Sequence, residues 1–454
     1  MQVYGDVGRD WRSEVPATLR LATPLVVTNL AQMALGTTDV LMMGWLGAEK
    51  LAAGALAANM IFPLHYFGLG VLGAAAPIIS QALGARAFRQ VRRTVRQGFW
   101  VAIALGLPAS VALWFSGDFL RLIGQVEQSA VWAQEYLRIA LWGFLPGLWY
   151  VVLRSFTVSH SRPRSAMVIT CLAIAVNAVA NYLLMFGHFG LPRLELRGAA
   201  IATVLVEVLM FGALLAFVLW DRRLRRYRIL GRWWRTDWPL FHEILRLGLP
   251  IGLSVLAEAG MFAISIFLMG WIGTVQVAAH AIAMQCAGIA FMIPLGLSSA
   301  ASIRVGYAIG AGRPAAAWLI GRLAIALGLL IGLVLAVVLW LADRAIVGLF
   351  LDPTAPGDIQ AFGLAVGFLH FVALFQIADA AQGVTAGVLR GYKDTRVPML
   401  IALLGYWGVG TGAALLLAFP LGLAGAGIWT GLALGLLCAA GLLMLRFYRL
   451  AAVR

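Results

Sequence analysis

Twelve long apolar runs constrain the fold of this 454-residue chain more than any other feature. A helix needs about 20 mostly apolar residues, rising about 1.5 Å each, to cross the hydrocarbon core of a bilayer. The runs of that length are residues 19–45, 51–75, 97–116, 131–153, 166–187, 198–220, 247–271, 277–303, 318–341, 361–388, 398–418 and 425–446. Backbone groups in lipid must be hydrogen-bonded within the protein, which favours helices. The sequence therefore predicts an all-α integral membrane protein with twelve transmembrane helices.

Composition and charge agree with a membrane location. Only 12% of the residues are charged, about half the fraction of a soluble protein. Of the 34 lysines and arginines, 28 fall in the segments on the side of the N-terminus and five in the segments on the other side. By the positive-inside rule this asymmetry predicts that both termini are cytoplasmic. The net charge of +15 is thus explained by loops and not by nucleic-acid binding.

The chain contains an internal repeat. At a shift of 226 residues, 24–84 aligns with 250–310 without a gap, and Met43-Gly44-Trp45 overlies Met269-Gly270-Trp271. Each copy carries six apolar runs, so both enter the membrane from the same side. We expect two six-helix bundles related by a pseudo-two-fold axis along the membrane normal. The expected bundles are residues 1–229 and 230–454, joined by a basic, Trp-rich interfacial linker at about 221–246.

Four carboxylates lie well inside the predicted spans, at Asp39, Glu207, Glu258 and Asp379. An ionisable residue in lipid is costly, so its default interpretation is a functional one. The alternative is an internal ion pair or a hydrogen-bonded carboxyl group. Polar neighbours follow at helical spacing: Asn177 and Asn181 are four residues apart, as are Thr203 and Glu207. An oxygen-rich pocket around Asp39 would suit a hard cation or a proton.

The second half has its own polar and apolar candidates. Gln376, Asp379 and Gln382 are spaced three residues apart on the tenth span, and Glu258 is on the seventh. Each neighbouring aromatic or methionine is individually explained by ordinary packing, but together they would line an adaptable cavity for a bulky cation. The predicted substrate-binding residues are Asp39, Glu258, Met261, Phe262, Gln285, Met292, Phe375, Gln376 and Asp379. Further polar candidates are Glu207, Gln382 and His280, although a lone histidine is more often a hydrogen-bonded fixture.

Catalytic motifs are missing from the sequence. It contains no GxxxxGK[ST] phosphate loop, no GxSxG elbow and no HExxH metal motif. We therefore expect a protein that is not an enzyme and that needs no cofactor.

Several motifs resemble those of one transporter family. The paired MGWxG segments, "GLSSAASIRVGYAIGAG" at 296–312, "LRGYKDTRVPM" at 389–399 and "GAAIAT" at 198–203 are similar to the multidrug and toxic compound extrusion (MATE) family, NorM-like bacterial branch. The resemblance covers nearly the whole chain. One departure is Phe375, because some relatives carry a tyrosine at this point, one turn before the tenth-span acid. The missing hydroxyl argues against a Na⁺ site shaped as in those relatives.

The resemblance implies a secondary antiporter of the bacterial inner membrane. It would export organic, often cationic, drugs in exchange for Na⁺ or H⁺ by alternating access. Nothing in the sequence requires more than a monomer. Cation or proton binding is expected at Asp39, Asn177, Asn181, Thr203, Glu258 and Asp379. A possible Na⁺ site lies at Asp39, Asn177 and Asn181 or at Glu258 and Asp379. The alternatives are a lipid-linked oligosaccharide flippase of the same superfamily, which usually holds pyrophosphate with cationic residues, and a passive channel.

Overall fold

The structure is a computed structural model that describes residues 10–353, 355 and 357–452. Within these residues the chain folds into twelve long helices. In chain order they are α1 (Trp11–Gly44), α2 (Ala48–Gly84, interrupted at Ala74), α3 (Phe88–Trp114), α4 (Glu127–Ser159), α5 (Pro163–Phe186), α6 (Glu195–Trp220), α7 (Trp238–Ile272), α8 (Thr274–Gly310), α9 (Pro314–Leu341), α10 (Ile359–Gly391), α11 (Arg396–Ala418) and α12 (Ala424–Leu450). Each is long and apolar enough to cross a membrane. No strand occurs in this described part of the chain. The predicted all-α fold with two six-helix halves is confirmed.

Several helices extend well past the predicted apolar runs. The sequence placed Arg154, Arg304 and Arg390 in loops, but α4, α8 and α10 continue to Ser159, Gly310 and Gly391 and carry these arginines inside helices. Arg304 is almost fully buried and forms an ion pair with the equally buried Glu14 of α1. A hydropathy profile uses only neighbouring residues, so it ends an apolar run at a charged residue. It does not include the ion pair with a carboxylate far away in sequence that stabilises the buried charge.

The chain folds into two compact units. The N-unit is Val27–Gly252, and the C-unit consists of the described residues up to Val26 together with those from Leu253 onward. The first part of α1 thus belongs to the C-unit, and the first part of α7 belongs to the N-unit. The N-unit core surrounds Leu148 and Phe156, and the C-unit core surrounds Trp429. Both cores consist mainly of aliphatic and aromatic side chains with many alanines.

Helix α11 contains an unusual π-helical segment at Leu404–Thr411. It lies against α12, where a Cβ placed on Gly435 would come within 2.7 Å of the Gly405 carbonyl oxygen and of the Gly410 Cα. Small residues at this crossing allow the two backbones to approach closely in lipid. The wider π turn brings Tyr406 into the C-unit interior, where its side chain is fully buried.

The segment between α6 and α7 is anchored to α3. Arg96 donates to the carbonyl oxygens of Gly231 (2.9 Å) and Arg232 (2.8 Å), and Trp100 stacks on Trp233 with ring centroids 5.5 Å apart. We call the end of the N-unit that carries residues 85–87, 160–162 and 221–237 the basic face. The other end, which carries residues 45–47 and 187–194, is the opposite face.

Candidate functional site

The Asp39 carboxylate lies inside the N-unit, bound by side chains from α5 and α6. Asn181 Nδ2 donates a 2.6 Å hydrogen bond to Asp39 Oδ1, and Thr203 Oγ1 lies 3.4 Å from Asp39 Oδ2. The same Asn181 amide is 3.2 Å from Asn177 Oδ1, one turn earlier on α5. The four predicted residues are therefore brought together as one cluster. Within the described residues, Asp39 forms no ion pair with a lysine, arginine or histidine.

The cluster offers oxygen atoms to a ligand. Asn181 Oδ1 is buried and has no hydrogen-bond partner among the described residues. Thr203 Oγ1 also lies 3.0 Å from the Ala199 carbonyl oxygen, and a hydroxyl has one proton to donate. When that proton goes to Ala199, the lone pairs of Thr203 are available to a cation or to a protonated Asp39. These groups suit Na⁺ or H⁺ rather than a soft metal.

Position along the helices places this cluster near the opposite face. Asp39 is five residues before the end of α1, and Asn181 is five residues before the end of α5. Five residues correspond to about 8 Å of helix. Tyr136 of α4 adds a hydroxyl that lies near Thr203 and within electrostatic range of Asp39. The sequence offered no periodic relation that would have found Tyr136.

A second group of ionisable residues lies in the C-unit. Asp379 of α10 and Glu258 of α7 are within electrostatic range of each other, so the structure brings these two predicted acids together. Arg390 of α10 is within range of Glu258, and Tyr406 is within range of all three charges. Tyr406 Oη accepts a hydrogen bond from Gln382 Nε2.

Unpaired polar atoms mark one face of α10. Both amide atoms of Gln376, Asp379 Oδ1 and Gln382 Oε1 are buried without a hydrogen-bond partner among the described residues. An unsatisfied buried polar group costs about 1–3 kcal/mol, so these atoms are available to hydrogen-bond a ligand or water. The spacing of three residues, which the sequence predicted, puts them in one row.

Apolar side chains adjoin this row. Phe375 packs on Phe262 of α7 and on Trp429 of α12, with ring centroids 6.0 Å apart in both pairs. Met261 is buried beside them, and its sulfur contacts the π-helical segment near Gly410. The remaining predicted contacts, Gln285 and Met292, lie half-buried two turns apart on α8.

His280 occupies a different position from the acids. Its Nε2 lies 3.1 Å from Ser265 Oγ, and that hydroxyl donates to the Phe262 carbonyl oxygen at 2.6 Å. Because Ser265 uses its proton in this way, His280 Nε2 carries the proton of their shared bond. Ser265 is the residue that overlies Asp39 in the repeat, so the second copy has a serine–histidine pair where the first has its acid.

The sequence reasoning missed Arg154, Arg390, Tyr136 and Tyr406. One signal was present for Arg390: it follows Asp379 by eleven residues, which is three helical turns and almost the same helix face. The two tyrosines come from helices with no spacing relation to the acids. Only three-dimensional packing reveals them.

The comparisons with known proteins match this architecture. The family model described as MatE matches residues 24–183 and 250–416, one segment in each sequence repeat. A relative in Mesorhizobium japonicum, described as "Probable multidrug resistance protein NorM", is 46% identical over 441 residues, covering 97% of this chain and 94% of its own. The chain belongs to the MatE family. Its similarity to NorM-named proteins places it in the NorM-like bacterial branch.

Solved MATE structures share the fold at much lower sequence identity. The eukaryotic MATE transporter AtDTX14 has a TM-score of 0.85 at 22% identity, covering 96% of this chain and 98% of its own. A MATE protein in complex with MaL6 has a TM-score of 0.88 at 20% identity, covering 100% and 99%. Membership of the MatE family makes this chain a multi-pass membrane transporter rather than an enzyme.

Proposed function

We propose that this chain is a multidrug efflux antiporter that exports small organic, often cationic, compounds in exchange for Na⁺ or H⁺. The observation that carries the proposal is the Asp39 carboxylate, held by Asn181 and Thr203 without a basic partner among the described residues. An unneutralised acid in a membrane helix is suited to bind a cation or proton reversibly. The multidrug resistance relatives support the substrate class.

The two units are proposed to have different tasks. In the N-unit, Asp39, Asn177, Asn181 and Thr203 bind the coupling ion. In the C-unit, Glu258 and Asp379 bind a second cation or anchor a cationic drug, because the unpaired atoms of Gln376 and Gln382 adjoin the apolar side chains of Phe262 and Phe375. A bulky organic cation needs both an acid and an apolar surface.

Transport is proposed to follow alternating access. The coupling ion binds Asp39 from the opposite face, and the membrane potential, worth about 2.3 kcal/mol per charge per 100 mV, drives it inward. The positive-inside rule supports a cytoplasmic basic face and cytoplasmic termini in the bacterial inner membrane. We propose that a monomer is sufficient, since each unit contains its own cluster.

The flippase alternative has less support. A pyrophosphate-linked substrate needs cationic groups that are free to bind it. Arg154 donates a 3.0 Å hydrogen bond to Gln32, and Arg390 lies in the field of Glu258. Acids dominate both candidate clusters.

Proteoliposomes with Na⁺ and pH gradients imposed separately test the proposed function. Tetraphenylphosphonium is a suitable probe because it is an apolar organic cation. An antiporter accumulates it against its own gradient when at least one ion gradient is imposed, and an ionophore abolishes the accumulation. Equilibration without accumulation would indicate a passive channel and would contradict the proposal.

A further inference from the structure

Of the four carboxylates that the sequence places well inside the spans, Glu207 is the one that the proposed function leaves unused. It lies on α6 one turn beyond Thr203, the residue that contacts Asp39. In the described part of the chain no lysine, arginine or histidine forms an ion pair with it. A carboxylate in a membrane helix without such a partner is costly, so its default interpretation is a functional one.

The structure makes space for this carboxylate. Gly143 and Gly147 of α4 face α6, and a Cβ on Gly143 would come within 3.1 Å of the Val204 Cα, so the two backbones are close. A Cβ on Gly147 would lie 2.9 Å from Glu207 Oε2. The missing side chain at Gly147 thus provides the notch that holds the Glu207 carboxylate.

His65 of α2 borders the same notch. A Cβ on Gly147 would lie 3.5 Å from the Cε1 of His65. The His65 imidazole and the Glu207 carboxylate therefore both border the space next to Gly147. This pair is a poor Na⁺ site, because the ion prefers several oxygen ligands and here only one carboxylate is offered beside an imidazole. A carboxylate and an imidazole are both proton-binding groups.

Depth in the membrane orders these groups. Each helix has one end at the opposite face, and the depth of a residue is its distance from that end. Asp39 is five residues from this end of α1, and Glu207 is twelve residues from this end of α6. His65 is seventeen residues from this end of α2. The corresponding helix lengths are about 8, 18 and 26 Å. Thr203 lies between Asp39 and Glu207. The proton-binding groups therefore form a row that runs from the opposite face toward the membrane centre.

The row ends at a fixed positive charge. Arg154, five residues before the end of α4 at the basic face, lies within electrostatic range of His65 and is anchored on Gln32. A positive charge in a narrow path repels protons. The row can therefore take up a proton without becoming a continuous leak, which an antiporter must avoid because a leak dissipates the gradient.

Other titratable groups around Glu207 are few. Among the described residues they include Asp39 on α1, Tyr150 and Arg154 on α4 and, across the Tyr150 hydroxyl, Cys171 on α5. Tyr150 Oη is 2.7 Å from Thr170 Oγ1 and is thus already engaged in a hydrogen bond. Tyr136 of α4 is also within electrostatic range of Asp39, but it is a phenol, a group whose ordinary pKa is about 10. Glu207 and His65 are the carboxylate and the imidazole that can exchange a proton with Asp39.

We propose that Glu207 and His65 form a second proton-binding site in the N-unit, which receives the proton from Asp39 and holds it deeper in the membrane. This inference rests on the proposed role of Asp39 in coupling. In the transfer, the protonated Asp39 becomes a carboxylate and the Glu207 carboxylate becomes a neutral acid. His65 stabilises the proton at the notch, and release requires a conformational change because Arg154 closes the row.

Infrared difference spectroscopy of the purified full chain tests the inference, since protonated and ionised carboxyl groups absorb separately. Spectra recorded between acidic and alkaline pH should contain protonation bands from Asp39 and Glu207. Glu207→Gln should remove one band and Asp39→Asn the other, while Glu49→Gln, an exposed control, should remove neither of these two. If Glu207→Gln removes no band, the inference is wrong. If Glu207→Gln removes a band but Asp39→Asn removes none, Asp39 does not take up a proton. The proposed function then fails, although Glu207 still titrates.

Two further variants guard against misfolding. Gly147→Ala keeps the acid but places a methyl group 2.9 Å from Glu207 Oε2, so the Glu207 band should shift in frequency. Gly212→Ala on α6, with no atoms within 4 Å of its Cβ, should leave the band unchanged. Proton-driven accumulation of tetraphenylphosphonium should fall in Glu207→Gln and His65→Gln and persist in Glu207→Asp. Unchanged accumulation in both Glu207→Gln and His65→Gln would overturn the inference.

Discussion

The amide of Asn181 donates a 2.6 Å hydrogen bond to the Asp39 carboxylate across the α5–α1 contact. A hydrogen bond to a charged group contributes about 1.5–3 kcal/mol. The bond fixes the direction in which the carboxylate presents its second oxygen to Thr203 and to a bound ion. In metal sites, loss of a group that orients a ligand typically weakens binding 10- to 100-fold.

We therefore expect Asn181→Ala to weaken binding of the coupling ion by roughly 10- to 100-fold. The measurement is the ion concentration that gives half-maximal tetraphenylphosphonium transport in proteoliposomes. Gln128→Ala, which removes an exposed amide at the start of α4, is the matched control and should leave this concentration unchanged. Equal half-maximal concentrations in wild type and Asn181→Ala would show that this hydrogen bond does not orient the ion site.

The buried Glu14–Arg304 ion pair should be essential for stability. Both side chains are almost fully inaccessible, so Glu14→Gln leaves the Arg304 charge buried with a much weaker partner. Loss of one partner of a buried pair costs about 3–5 kcal/mol. Thermal unfolding in detergent should occur at a clearly lower temperature for Glu14→Gln. The double variant Glu14→Met with Arg304→Met should recover part of the loss, and an unchanged melting temperature in Glu14→Gln alone would contradict this account.

The crossing of α11 and α12 should not tolerate a methyl group. Gly435→Ala places its Cβ 2.7 Å from the Gly405 carbonyl oxygen and the Gly410 Cα, both backbone atoms. Overpacking of this kind costs about 1–3 kcal/mol. Gly441→Ala on the same helix meets no atom within 4 Å and should be neutral or stabilising, because alanine favours a helix by about 1 kcal/mol. Melting temperatures of the two variants measure the difference, and equal values would mean that the crossing is looser than described.

His160, between α4 and α5, should make stability depend on pH. Burial lowers the pKa of His160 from 6.5 to about 4. The unfolded chain therefore binds the proton more readily, so stability is complete above about pH 6.5 and is lost as the pH falls toward 4. The full effect is up to about 3 kcal/mol.

Replacement of His160 by phenylalanine keeps an aromatic ring against Tyr227, whose ring centroid is 4.7 Å away. Melting temperatures at about pH 7.5 and about pH 5 should differ less in His160→Phe than in wild type. His242→Gln, at an exposed histidine on α7, is the control and should retain the wild-type difference. If His160→Phe shows the wild-type pH dependence, another group is responsible.

The number and type of membrane helices could be predicted because apolar length alone determines them. Their ends could not, since Arg304 is accommodated by Glu14, which lies 290 residues away in sequence. Within the candidate site, four-residue spacings correctly grouped Asn177 with Asn181. The convergence of those residues on Asp39 depended on helix packing that no spacing encodes.

The position of Tyr406 is a second feature that the sequence pattern did not predict. The presence of Phe375 argued against a Na⁺ site shaped as in some relatives, yet Tyr406 brings a hydroxyl toward Asp379 and Glu258 from α11. It reaches them from a π-helical segment, a local geometry that hydropathy and periodicity do not reveal.

The central claim is that Asp39 couples ion movement to export. In proteoliposomes with an imposed pH or Na⁺ gradient, Asp39→Asn should lose accumulation of tetraphenylphosphonium under both gradients. Glu49→Gln should accumulate the probe as wild type does, which controls for the loss of one carboxylate. Accumulation by Asp39→Asn should fall to the level of empty liposomes, and wild-type accumulation by this variant would contradict a coupling role for Asp39.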